Sequence, residues 1–323
     1  MLNEISQLLA VCGLSTLALA AAPLSDAAVH SVRSFSFTYA VTVKELPAEA
    51  EYVELWVPLP QTDLYQEVGE IEVSAPTAYS ILKDDEYGNR FLHMRLEQHA
   101  VSQFDVAVKF NAARRAVGEN RFASDNVTAR YLQSDELVPL DGKIAEAARA
   151  ATKAARSRQE QARALYDHLL ATMAYDKSGE GWGRGDALYA CNVRKGNCTD
   201  FHSLFIGMAR SLNIPARFVM GFSIPTNARE GAIAGYHCWA EYFVERNGWL
   251  PVDISEAWKN PERRDFYFNR LDPDRIAFSI GRDIQLRATS PAVRVNYFVY
   301  PHVVVDGQPY EKLEKKFSFR ELK

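Results

Sequence analysis

Apolar residues take every second position along the first third of the chain. Phe35, Phe37, Tyr39 and Val41 alternate, as do Val53, Leu55 and Val57, and then Phe104, Val106, Val108 and Phe110. A period of two marks strands with one buried face. Pro58-Leu59-Pro60 and Lys83-Asp84-Asp85-Glu86-Tyr87-Gly88-Asn89 punctuate them. The acidic stretch predicts a hairpin turn rather than a cation site, because Gly88 and Asn89 suit tight turns. Roughly six short strands predict a small β-sandwich-like domain over residues 28–115. That domain shows no catalytic constellation.

The period then lengthens. Residues 143–155 are rich in alanine and favour a helix. Ser157-Arg158-Gln159-Glu160 is a capping box that opens a second helix, with Ala162, Leu165, Tyr166, Leu169 and Leu170 as its apolar stripe. A glycine-rich loop containing Trp182 follows over residues 179–185. Phe201, Leu204, Phe205, Met208 and Leu212 then mark one buried face of a further helix. Asn197 and Thr199 are both good caps, so Cys198 sits at or beside that helix's N-terminus. The positive end of the helix dipole there favours a thiolate.

Ile214-Pro215 stops this helix, and residues 216–222 read as a buried strand. A polar loop over 226–235 leads into a strand over 236–244, the Asn247-Gly248 turn signal, and a last strand over 249–253. A hairpin of those two strands brings His237 and Asp253 together. Cys198, His237 and Asp253 form a coherent set for a thiol triad.

Composition changes this picture little. The chain has 323 residues, 47% hydrophobic and 24% charged, with a formal net charge of −4. That length suggests about two domains, and the charge lacks the basic footprint of a nucleic-acid binder. Residues 8–22 carry no charge and are followed by small residues, so 1–27 read as an export signal. Glu4, with no Lys or Arg beside it, departs from the usual pattern. The expected location is periplasmic or secreted, with no stable membrane association once the signal is removed.

Three blocks carry a family resemblance: Gly196-Asn197-Cys198-Thr199-Asp200-Phe201, Gly235-Tyr236-His237-Cys238-Trp239-Ala240-Glu241 and Trp249-Leu250-Pro251-Val252-Asp253. In this order and spacing the chain resembles the bacterial transglutaminase-like superfamily, a branch of the papain-like cysteine enzymes. The resemblance implies an α+β core over residues 130–290, with a cysteine helix packed on an antiparallel sheet. Residues 291–323 then form a C-terminal strand extension. It implies Cys198 as nucleophile, His237 as base and Asp253 as orienter of the imidazole. The Cys198 backbone N–H is one candidate oxyanion donor, and Asn192 and Trp182 are candidates for the second, with an ordinary loop role as the alternative for each. No cofactor is implied. The substrate is a peptide or protein amide bond, attacked through a thioester. Hydrolysis is favoured over glutamine cross-linking because water is abundant and no acceptor site is legible. A scaffold that keeps the fold without turnover is the third reading.

Without Cys12 of the signal, three cysteines remain. An odd count leaves one free thiol and lets Cys191 and Cys238 pair as a disulfide beside the site, or stay as two independent buried residues. A zinc site from Cys191, Cys198, His202 and His237 uses permissible ligands, but it matches no common spacing and would occupy the thiolate. His202 shares a helix face with Cys198, either as a supporting or substrate-contacting group or as a core histidine. Trp239 and Glu241 share the His237 face of their strand, and Cys238 points the other way. Tyr236 and Trp239 are supporting residues, and Gly281-Arg282-Asp283 reads as a solvated turn.

Overall fold

The computed structural model describes residues 31–97, 101–118, 129–245, 247–288 and 292–322. The proposed signal, residues 1–27, lies outside them. The fold mixes α and β, and its large sheets are antiparallel. The alternating strands of the first third build two of them. Val32–Val43 pairs with Phe104–Arg115 on one side, and Tyr52–Leu59 pairs with Arg90–Glu97 in the second sheet. Phe35, Phe37, Tyr39, Val41, Val106, Val108 and Phe110 are all buried, as their spacing requires. They share one continuous core with Val53, Leu55 and Val57.

Both sheets are completed from distant sequence. Leu313–Glu321 pairs with Val32–Val43, and His302–Val305 pairs with Tyr52–Leu59. Glu230–Ile233, within the stretch expected to be a polar loop, adds an edge strand beside Leu313–Glu321. Its Glu-Gly-Ala-Ile sequence has no alternation, so only the neighbouring strand reveals it. The acidic stretch is a hairpin turn: Asp84 accepts from the backbone N–H groups of Glu86, Tyr87 and Asn89, and Gly88 has φ 73°.

Among the described residues five α-helices follow: α1 (Gly142–Ala151), α2 (Arg158–Thr172), α3 (Ala187–Val193), α4 (Cys198–Ser211) and α5 (Ile254–Lys259). Ser157 caps α2 by accepting from the Glu160 N–H. Helix α4 differs from expectation. It is buried on every side rather than along one stripe, because α1, α2 and α3 pack against it as well as the sheet. Its polar residues are therefore partnered inside. Arg210 donates to Ala216 O, Gln133 O and the Asp135 carboxylate.

The sheet beneath α4 has the order Gly248–Val252, Tyr236–Val244, Ala216–Ser223, Arg275–Ile280. Gly248 takes φ 74°, as the turn signal demands, and the hairpin pairs Ala240 with Val252. Among the described residues no helix is long and apolar enough to cross a membrane.

Gly221 lies where the register shifts between Ala216–Ser223 and Arg275–Ile280. A Cβ there would sit 1.8 Å from Ile276 O, a backbone atom that cannot rotate away. Gly221→Ala should therefore destabilise the protein by about 1–3 kcal/mol or more. Its urea midpoint should fall accordingly; an unchanged midpoint would show that the two strands can separate freely there.

Candidate active site

Local sequence fixes where the thiol stands. Asn197 is the N-cap of α4 and accepts from the Thr199 N–H at 2.9 Å, while Asp200 reaches back to the Asn197 N–H at 2.9 Å. Asp200 also takes the N–H groups of Gly183 (2.7 Å) and Gly185 (3.1 Å), which ties the glycine-rich loop to the helix start. Only glycine fits at 196, since a Cβ would lie 2.3 Å from Asp200 Oδ2. Cys198 is thus the first residue of α4, and its own N–H has no acceptor within the helix.

His237 and Asp253 meet as the hairpin dictates. His237 Nε2 lies 2.7 Å from Asp253 Oδ2, so Nδ1 is left for Cys198, with which the imidazole also hydrogen-bonds. Asp253 is fully buried and divides its oxygens. Oδ2 serves His237 and accepts from Arg275 Nη1 at 2.8 Å, whereas Oδ1 caps α5 by accepting from the Glu256 N–H and the Ser255 hydroxyl, each at 3.1 Å.

Charge follows from these contacts. Cys198 is held well below the ordinary thiol range, first by the hydrogen bond from Cys238 and then by His237, against the opposing effect of burial. Burial disfavours the charged form of His237, but Asp253 and Cys198 outweigh it and raise the imidazole to about 10. Burial likewise opposes ionisation of Asp253, yet His237 and Arg275 hold it well below the carboxylate range. These directions favour a thiolate and an imidazolium beside a buried carboxylate.

Several expected residues stand elsewhere. Asn192 is exposed, and its side-chain oxygen accepts from Lys143 Nζ at 2.9 Å, so it points no amide at Cys198. The Trp182 indole N–H donates to Gly179 O within its own loop at 3.1 Å. Cys191, Cys198 and Cys238 are all free thiols. The Cys191–Cys238 pairing is absent because Cys238 faces α4, 3.6 Å from His202 Nδ1, while Cys191 lies partly exposed on α3. Among the described residues no three His, Cys, Asp or Glu side chains are placed to hold a metal ion.

His202 is wholly buried and accepts the Ile254 N–H on Nε2 at 3.0 Å, so it supports the start of α5 and meets no substrate. Burial lowers it to about 4, which keeps it neutral. Trp239 packs beside His237, with ring centroids 6.5 Å apart. The Tyr236 hydroxyl bonds Thr199 Oγ1 (2.6 Å) and receives the Asn197 amide N–H (2.9 Å), so it lies over the helix start.

Two arginines and two tyrosines escaped the sequence reading. Arg275 touches Asp253 from a strand 22 residues on, with nothing local to announce it. Arg282, expected in a solvated turn, is fully buried and donates to Gly185 O, Ser203 Oγ and Arg184 O. Tyr297 and Tyr300 pack around Tyr236 at 5.8 and 5.5 Å, and Tyr297 donates to Gly183 O. The Tyr-rich segment near residue 300 was the only available signal for them.

The raised His237 pKa contributes stability that is full below 6.5 and lost as pH rises towards about 10. The lowered Cys198 pKa contributes stability that is full above 9.0 and fades as pH falls. Between 6.5 and 9.0 the folded pair and the unfolded chain each hold one proton, so the pair should add no slope to stability there. Urea unfolding in Cys198→Ala should instead lose stability with rising pH across that window, and an unchanged profile would refute the coupling. Arg275→Met should cost about 3–5 kcal/mol, because it leaves Asp253 and Asp272 short of a buried counter-charge. Urea unfolding measures this directly, and a loss under about 1 kcal/mol would contradict it.

Residues 145–254 match the model of the transglutaminase-like superfamily, a span that includes Cys198, His237 and Asp253. An uncharacterized protein of Haemophilus influenzae is 25% identical over 327 residues, covering 87% of this chain and 88% of its own length. The crystal structure of a proposed cysteine protease from Cytophaga hutchinsonii is similar in fold, with a TM-score of 0.59 at 16% identity over 90% of this chain and 98% of that one. The segment that holds the cysteine helix and the histidine strand is thus the part of the chain that is similar to the transglutaminase-like superfamily.

Proposed function

We propose that the protein is a thiol acyl-transfer enzyme in which Cys198, His237 and Asp253 act as a triad on amide bonds of peptides or proteins. The observation that carries this reading is the buried run from Cys198 through His237 to Asp253, closed at 2.7 Å between the last two. A carboxylate with no second solvent to lean on keeps the imidazole charged, and the charged imidazole keeps the sulfur ionised at neutral pH. The thiolate attacks the amide carbonyl and forms a tetrahedral adduct. His237 then gives its proton to the departing amine, which leaves a thioester on Cys198. Water, activated by the now neutral His237, releases the acid and restores the thiol pair.

The Cys198 N–H is free of intrahelical partners and is one oxyanion donor. Tyr236 is the second we favour over Asn192 and Trp182. Burial and then the Cys198 thiolate push its phenol up, so the hydroxyl remains a donor close to the sulfur. Cys198 and His237 are only 3% and 5% exposed. A narrow approach of that kind suits an extended peptide backbone better than a folded surface, which supports hydrolysis over protein cross-linking. Export of the mature chain belongs to the same proposal, since the substrate would be an envelope or extracellular peptide.

Brief iodoacetamide treatment at neutral pH, followed by peptide mapping, tests the nucleophile. Cys198 should be alkylated well ahead of Cys191 and Cys238, even though Cys191 is the more exposed. Peptide turnover followed by mass spectrometry should fall by about 10³-fold or more in Cys198→Ala. Equal labelling of the three thiols would leave the scaffold reading in its place, and turnover surviving that substitution would remove Cys198 as the nucleophile.

A further inference from the structure

A cavity of about 370 Å³ lies behind the catalytic imidazole, on the His237 face of the sheet. Its walls come from both halves of the protein: Leu64 and Arg114 from the sandwich, and Val219, Trp239, Trp249 and Ile280 from the sheet beneath α4. The floor is mostly apolar and aromatic, and the size suits a small organic molecule. None of these groups takes part in the proposed thiol chemistry.

Two of the residues that line this space carry a buried donor without a partner. The Trp239 indole N–H and the Arg114 Nε–H have no hydrogen-bond acceptor, and the two residues are 1% and 3% exposed. A native interior rarely leaves such groups unmet. What both lack is an acceptor.

Charge sharpens the choice of acceptor. The Arg217 guanidinium is closed against Glu241 Oε2 at 2.7 Å. Arg114 has only Asp63, at 3.8 Å, and that carboxylate also accepts from the Tyr65 N–H and is half exposed. Arg114 is therefore a buried cation whose nearest carboxylate stands 3.8 Å away, and it lies 5.9 Å over the Trp239 ring. Desolvation lowers the Arg114 pKa, as expected for an under-neutralised guanidinium.

We propose that this cavity binds a small molecule with a free carboxylate on an apolar body, the carboxylate bridging Arg114 and the Trp239 indole and the body packing on Trp249, Val219 and Ile280. The end of a peptide that terminates in an apolar residue has this chemistry. Trp239 also touches the active site: Arg275, the partner of Asp253, lies 5.2 Å over its ring. An occupant of the cavity thus packs against the same tryptophan that flanks His237.

Tryptophan emission of the full-length chain, titrated with N-acetylleucine, 4-methylpentanoate and benzoate and with the corresponding amides, tests this. Each acid should give a saturable change, and each amide should bind at least tenfold more weakly. Arg114→Met should abolish the preference for acids. Ala277→Leu, which fills the cavity from a wall residue, should abolish binding of both while the thermal midpoint stays near that of the parent. The titration should be the same in Cys198→Ala, so a failed thiol mechanism leaves this result standing, and the reverse. If no acid saturates, if acids and amides bind alike, or if Ala277→Leu binds like the parent, the cavity holds water only and the proposal fails.

Discussion

The buried carboxylate of Asp253 is the constraint on which the rest of the site depends. It has no solvent, so its charge survives only while His237, Arg275 and the first N–H groups of α5 supply donors. Each of those groups is positioned by that demand. The imidazole is turned so that Nε2 meets Oδ2, α5 begins where Oδ1 can cap it, and Arg275 is drawn in from the edge strand of the sheet. One side chain joins a helix start, a hairpin and a distant strand.

Asp200 and Arg282 do comparable work on the other side of the thiol. Asp200 has acceptors only, and spends them on the Asn197, Gly183 and Gly185 N–H groups. Arg282 has donors only, and takes the carbonyls of Arg184 and Gly185 together with the Ser203 hydroxyl. Opposite polarity at the two ends lets a short glycine-rich segment be held by its backbone alone. The segment carrying Tyr297 and Tyr300 then closes over Tyr236, on the way to strands that pair with Val32–Val43 and Tyr52–Leu59. The chain's last strands thus tie the two halves together, and the Arg114 cavity is formed where those halves meet.

Local sequence was a good guide wherever the determining forces act between near neighbours. Alternation of Phe35 to Val41 and of Phe104 to Phe110 marked strands because burial on one face is a property of the strand itself. Asn197 marked the start of α4, and Asn247-Gly248 marked the hairpin, since caps and turns are settled within a few residues. From these alone the α+β class was legible, and so was the meeting of His237 with Asp253.

Long-range partners were not legible, and each misplaced residue shows why. Asn192 has the right spacing from Cys198, but Lys143 lies nearer to its amide. Cys238 has the chemistry to pair with Cys191, yet its strand turns it towards α4 and His202. Arg282 looked like a solvated turn because three of its partners, Arg184, Gly185 and Ser203, lie 79 to 98 positions away. The sequence by itself determined the elements, their caps and the identities of the reactive groups. Tertiary structure alone decided which buried charge meets which, because a charge taken out of water is satisfied by whatever the fold brings within 3 Å, however far along the chain that lies.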